Sequence, residues 1–364
     1  MAAASYSVVH LKMRFGSTVL STGSGMLYFY KEKYYIVTAW HNLTGRHPDT
    51  LEIQHPHKAA PDNVVITMVQ EFPGIGGTRI PFIVQLASDD KTHYYVHPTN
   101  YPRIDVAVIP LDIDTPYKMS VKVGDGREIS GYINLLQKGD YPSELCPLQK
   151  YEFSDQNLLA DCINNIDVTD ELFIPGYPEN ISDYLANPVW KRATVASSLK
   201  MGWNGQPLYL IDSASRPGMS GAPVFYYNKK GVLQIGSKNI IIGKEFVVFL
   251  GIYVGRMYSQ EKEDAQIGMV WKREVVNEII DGETFDWHSN LLIIGPSEVR
   301  KKVLSTLAKY DEQGIKTINN PNADYRHYAT SAIHEALNGR APIKEILQCV
   351  LEEAAIYKGP YKAD

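Results

Sequence analysis

Cysteine is scarce: three in 364 residues, Cys146, Cys162 and Cys349. An odd, widely spaced set does not make the paired disulfide framework of secreted scaffolds, so the reading is a reducing, cytoplasmic setting. Long apolar runs are missing too. Nothing near 18 consecutive apolar residues occurs, so no helix is expected to span a bilayer. Met1 to Tyr6 lacks the basic and long apolar regions of an export signal. Positive charge is not in excess: 36 Lys and Arg stand against 41 Asp and Glu, a formal net charge of −5. That balance leaves no electrostatic footprint for nucleic acid or an anionic membrane. No internal repeat or low-complexity tract is present.

Apolar residues make up 44% of the chain, enough for substantial cores. Short β-branched and aromatic runs separated by turn signals predict strands over 8–11, 17–20, 25–30, 34–39, 64–69, 80–86 and 105–110. A second set is predicted over 171–176, 192–197, 208–211, 222–227, 246–254 and 266–270. The loop Pro73 to Gly77 separates two of the first set, and 118–167 reads as a less regular connection. From Val270 to Ile280 the spacing turns helical, with Val275, Val276, Ile279 and Ile280 on one side and Gly282 past the end. Beyond about 283, apolar stripes at helical spacing predict a small helical appendage.

The chemistry concentrates in three stretches. Ser215-Arg216-Pro217-Gly218-Met219-Ser220-Gly221-Ala222-Pro223 is a stiff, turned loop presenting one hydroxyl, and such turns gather backbone N–H groups into an anion-binding concavity. Acyl transfer needs that pairing of nucleophilic oxygen and oxyanion donors. Tyr34 to Ala39 is a strand-like run ending at Trp40-His41, and His41 has the ordinary pKa of a general base. In Ile104-Asp105-Val106-Ala107-Val108-Ile109 an aspartate opens an apolar strand. Each residue alone has a plainer reading: a turn serine, a half-buried histidine, a strand-start cap. Asp112 and Asp114 compete for the aspartate role but follow Pro110 and break the pattern. His47, His55 and His57 lie in a Pro-rich loop without a cysteine or acid ladder, so no metal is assigned. Asn42-Leu43-Thr44 and Asn180-Ile181-Ser182 match the glycosylation sequon and are read as chance.

Taken together, Thr38-Ala39-Trp40-His41, Asp105-Val106-Ala107-Val108 and Gly218-Met219-Ser220-Gly221-Ala222-Pro223 resemble the trypsin-like serine peptidases over about residues 5–282. Gly23-Ser24-Gly25-Met26-Leu27 fits the same pattern, and Asp212 with Pro217-Gly218 looks like the HtrA-type, non-digestive branches. The resemblance implies a mainly β fold of two six-stranded antiparallel barrels with a C-terminal helical extension. It divides the chain into 1–118 (barrel with His and Asp), 119–168 (connection), 169–282 (barrel with Ser and a terminal helix) and 283–364 (regulatory or docking extension). It implies His41 as base, Asp105 as its orienting carboxylate, Ser220 as nucleophile, and the N–H groups of Gly218 and Ser220 as oxyanion donors. It places the substrate pocket at Ala214, Tyr253, Val254, Gly255 and Gly268, with a small or medium apolar residue before the cut bond; Arg216 or Arg256 would instead select an acidic one. Met219 stands where digestive members carry an aspartate, and no Ile-Val-Gly-Gly start exists, so activation by N-terminal trimming is not expected. Ala222 replaces a commoner glycine. The expectation is an intracellular serine endopeptidase needing no cofactor, acting on a protein or peptide, with a regulatory partner at 283–364. The alternative is a degenerate fold that binds extended peptides by strand addition.

Overall fold

A computed structural model describes residues 3–286, apart from 49–52, 58, 89–90, 99–103, 123–127, 236–237 and 258–265. β1 (Val8–Phe15), β2 (Thr18–Tyr30) and β3 (Lys33–Thr38) form an antiparallel meander, followed by the short helix α1 (Trp40–Thr44). β4 (Asn63–Phe72) and β5 (Gly76–Gln85) make a long hairpin, and β6 (Ala87–Ser88) and β7 (Lys91–Thr92) a small one. β8 (Ala107–Leu111) pairs with β3. β9 (Tyr117–Lys122) and β10 (Glu128–Ile133) form a separate hairpin, and β11 (Glu144–Leu145) returns to β4. The order is β11-β4-β1-β2-β3-β8, with β5 also on β4. Because β5 runs the full length of β4, β1 and β11 must share its other edge in succession.

This N-terminal unit departs from the expected six-stranded barrel. It is a seven-stranded sheet, and no ladder among the described residues closes it. The extra strand β11 comes from the stretch expected to be an irregular connection; two residues are too few to show periodicity. The same stretch holds α2 (Gln156–Asn165), whose first turn is capped by the Asp155 side chain accepting from the N–H groups of Asn157 and Leu158.

The second unit closes. β12 (Glu171–Gly176), β13 (Val189–Val195), β14 (Leu208–Asp212), β15 (Pro223–Asn228), β18 (Phe246–Arg256) and β19 (Ile267–Lys272) form a barrel in the order β12-β13-β14-β19-β18-β15. Between β15 and β18 a hairpin projects, β16 (Val232–Ile235) with β17 (Lys238–Ile241). Helix α3 (Glu274–Gly282) follows β19, and residues 283–286 continue onto the N-terminal unit. Of the extension expected over 283–364, residues 287–364 lie outside the described residues. No helix among the described residues is long and apolar enough to cross a membrane.

Three cores follow from strand alternation. Leu11, Leu27, Ile36, Ile66 and Phe82 fill the N-terminal unit. Tyr209, Val224, Val248 and Val270 fill the barrel. A third core lies between the units: Met26, Tyr28 and Val37 from one meet Phe225, Val247, Phe249 and Ile252 from the other, with Val275, Val276 and Ile279 of α3. β18 is buried on both faces because alternate side chains serve the barrel interior and this shared core.

Candidate active site

β3 delivers its chain end, Thr38-Ala39, to the junction of the two units, and α1 starts there. His41 therefore sits in the first turn of a short helix rather than at a strand end. Asp105 precedes β8 between two buried apolar residues, Ile104 and Val106, and is itself 4% exposed. One carboxylate oxygen accepts from the His41 backbone N–H at 2.9 Å and the other meets the ring Nδ1 at 2.6 Å. A carboxylate at Nδ1 makes that nitrogen the proton carrier and leaves Nε2 as the acceptor. Burial works against the charged imidazolium, but the charge and hydrogen bond of Asp105 outweigh it and raise the His41 pKa above its ordinary value.

Ser220 comes from the other unit, on the turn before β15. The turn is clamped by the N-terminal sheet. The Ser220 carbonyl accepts from the Ser24 N–H and the Asn42 side-chain amide, both at 2.9 Å. Ser24 Oγ donates to the Gly218 carbonyl at 2.7 Å and accepts from the Tyr177 N–H at 3.0 Å. Thr38 Oγ1 donates to the Ser24 carbonyl and accepts from Asn42. This close docking explains Gly221: its φ is +85°, and a β-carbon there would lie 2.1 Å from the Ser24 carbonyl oxygen and 2.2 Å from Thr38 Oγ1.

The N–H groups of Met219, Gly221 and Ala222 are bonded within the protein. Those of Gly218 and Ser220 have no acceptor among the described residues, leaving two donors for an anion beside the hydroxyl. The Ser220 hydroxyl donates to the Val254 carbonyl at 3.2 Å, and no hydrogen bond joins it to the imidazole.

The expected pocket residues separate. Tyr253 is buried, and its hydroxyl pairs with Ser215 Oγ. Its ring lies over Gly268, where a β-carbon would be 2.7 Å from Tyr253 Cε2. Val254 is buried and Gly255 half-buried, while Ala214, expected at the pocket floor, is exposed; the inward-turned residue is its neighbour Ser215. The reason is a tight turn centred on Ala214, in which the Ser215 N–H donates to the Ser213 carbonyl at 2.8 Å, so that both serines are buried and Ala214 at its apex faces outward. Arg256 donates to the Ser215 carbonyl at 2.9 Å, whereas Arg216 is exposed.

Ser24 and Asn42 are the site residues the sequence reading missed. The one signal for Asn42 was its place directly after His41. At 5% exposure, with its amide bonded to Thr38 and Ser220, it is closed to glycosylation in the folded chain. A separate cleft of about 370 Å³ involves Phe29, Tyr34, Glu144 and Lys150 on the N-terminal unit and contains none of the residues above. Among the described residues no three His, Cys, Asp or Glu side chains are grouped to hold a metal ion.

No protein-family model and no curated protein sequence matches the chain. Among solved structures it is similar to the inactive form of the Rv3671c protease of M. tuberculosis, at 16% identity over 77% of this chain and 90% of that one, with a TM-score of 0.34. An inactive serine-to-alanine mutant of Rv3671c gives 15%, 77%, 87% and 0.35. A serine endoprotease from Yersinia pestis gives 12% identity over 77% of this chain and 63% of that one, at 0.37. Each of these three is a serine protease by its name, and this chain itself is a mainly β architecture with His41, Asp105 and Ser220 carried to one junction.

Proposed function

We propose that the chain is a trypsin-like serine endopeptidase acting on a protein or peptide in the cytoplasm. One observation carries the reading: an oriented His41–Asp105 pair at the docking seam of a serine turn that holds two uncommitted N–H donors. The free thiols of Cys146 and Cys162 accord with a reducing compartment. In the reaction Ser220 turns from the Val254 carbonyl, and Nε2 of His41 takes its proton as the oxygen attacks the substrate carbonyl. The oxyanion is held by the N–H groups of Gly218 and Ser220, and His41 returns the proton to the leaving amine. Water repeats the sequence on the acyl-enzyme. The Tyr253 ring leaves no room for a β-carbon at Gly268, and the residue before the cut bond is small or medium and apolar. A regulatory protein partner binds through residues 283–364.

The test is covalent labelling with a fluorophosphonate, followed by peptide-library turnover. Labelling at Ser220, abolished in Ser220→Ala with the fold intact, is the expected result. A second reading has its own support, because the Ser220 hydroxyl is bonded to Val254 and not to the imidazole. On that reading the fold binds extended peptides without cutting them. Peptide binding without labelling, unchanged in Ser220→Ala, would establish it and remove the peptidase.

A further inference from the structure

Asp286 is a carboxylate that the proposed chemistry does not use, yet it is 3% exposed. It arrives by a strap that leaves α3 and crosses to the N-terminal unit. There the Val96 N–H donates to the Thr284 carbonyl at 2.9 Å, Phe285 pairs antiparallel with Tyr95, and Thr92 Oγ1 donates to the Asp286 carbonyl at 2.7 Å. The strap thus adds a short strand to residues 94–96 and carries one acidic side chain inward. Its Oδ2 accepts from the Tyr94 hydroxyl at 2.8 Å and from the Trp40 indole N–H at 2.9 Å. Trp40 is the residue before His41.

Helix α1 is five residues long, too short to hold its own geometry. Its orientation is set by what its side chains grip. Three successive residues grip three different parts of the chain: Trp40 the strap, His41 the Asp105 carboxylate, Asn42 the Ser220 carbonyl. Removing one anchor leaves the helix pivoting on the other two, and the ring most affected is the one between them.

We propose that Asp286 is a positioning residue for His41, acting through the Trp40 indole, so that the strap 284–286 sets the alignment of the base. For its activity readout this inference rests on the peptidase reading; its structural readout does not. It also gives the strap a second role besides packing: a displacement of residues 284–286 is transmitted to the imidazole through one hydrogen bond.

The experiment compares full-length wild type with Asp286→Ala, Asp286→Asn, Trp40→Phe and the double variant Asp286→Ala/Trp40→Phe. Two quantities are measured well below the melting temperature: the pH-dependent rate of Ser220 labelling by a fluorophosphonate, and the His41 imidazole titration by NMR. Asp286→Ala and Trp40→Phe should each slow labelling between about tenfold and a hundredfold, the scale of a small misplacement of a reacting group. Both should move the His41 titration down toward its ordinary value as the Asp105 contact loosens. The double variant should be no worse than the worse single one, because each single variant already removes the Asp286–Trp40 bond. Asp286→Asn, whose amide oxygen still accepts from the indole, should keep most of the rate. An unchanged His41 titration and labelling rate in Asp286→Ala, with only a lower melting temperature, would make Asp286 a packing residue and overturn the proposal. If Asp286→Ala does not fold, Trp40→Phe decides on the same readouts. If wild type does not label, the peptidase reading fails, and the His41 titration alone decides this one.

Discussion

At the residue scale the protein treats its histidines oppositely. His41 is held above its ordinary pKa because Asp105 outweighs burial. Turnover needs the neutral imidazole, so the acid limb of kcat/KM should lie on the alkaline side of 6.5. Asp105→Asn should lower the rate by about 10⁴, as loss of the orienting carboxylate does in triads of this kind, measured by labelling or turnover across pH. His10 is buried, its ring tilted against Tyr177 at a 4.5 Å centroid distance, and its pKa falls to about 4 through burial first, then the charges of Lys12 and Arg79. Between about 4 and 6.5 the unfolded chain binds a proton that the folded chain refuses. Stability is therefore full above 6.5 and declines as pH falls toward 4, by about 3 kcal/mol from this group. Urea denaturation at pH 7 and 4.5 should show a smaller acid loss in His10→Phe than in wild type. An equal loss in both would show that His10 is not the source.

At the element scale, strands were more legible than helices. β12 was read with the bounds it has, because Glu171 to Gly176 lies between turn signals and alternates around Leu172 and Ile174. β2 reads from sequence as two strands, since Ser21 to Ser24 lacks the apolar residues that mark a run; pairing with β1 on one side and β3 on the other keeps it continuous. α3 was legible from its one apolar stripe, although its first residues by sequence, Val270 to Lys272, belong to β19. α2 was missed because its stripe is short and polar residues surround it; only Leu159 and Cys162 are buried. Its cap should matter locally and nowhere else. Asp155→Ala should cost about 1 kcal/mol by chemical denaturation while leaving Ser220 labelling unchanged.

At the scale of the whole molecule, the site exists only because the two units are packed together. His41 and Asp105 belong to the N-terminal unit and Ser220 to the closed barrel, and the shared core holds them in register. A buried ion pair reinforces the barrel side of that junction. Arg273 donates to Glu152 at 2.8 Å, with side chains 15% and 4% exposed, while Glu152 also accepts from the Phe249 N–H and Arg273 donates to the Phe249 carbonyl. Glu152→Ala would leave the arginine charge buried and unpaired, at a cost of about 3–5 kcal/mol. Its denaturation midpoint should drop sharply. Lys31→Ala breaks the exposed Lys31–Asp281 pair and should leave the midpoint where it is.

The sequence by itself determined the mainly β character, most strands of both units and the three motif residues, because alternation, turn chemistry and residue type are local properties that neighbours in the chain express. Tertiary structure decided the rest. Only it closed the second unit into a barrel, turned Ser215 inward instead of Ala214, and gave Ser24 and Asn42 their hold on the Ser220 turn. It also carried Asp286 beneath Trp40. Each of these depends on contacts between residues far apart in the chain, and no local pattern encodes such a contact.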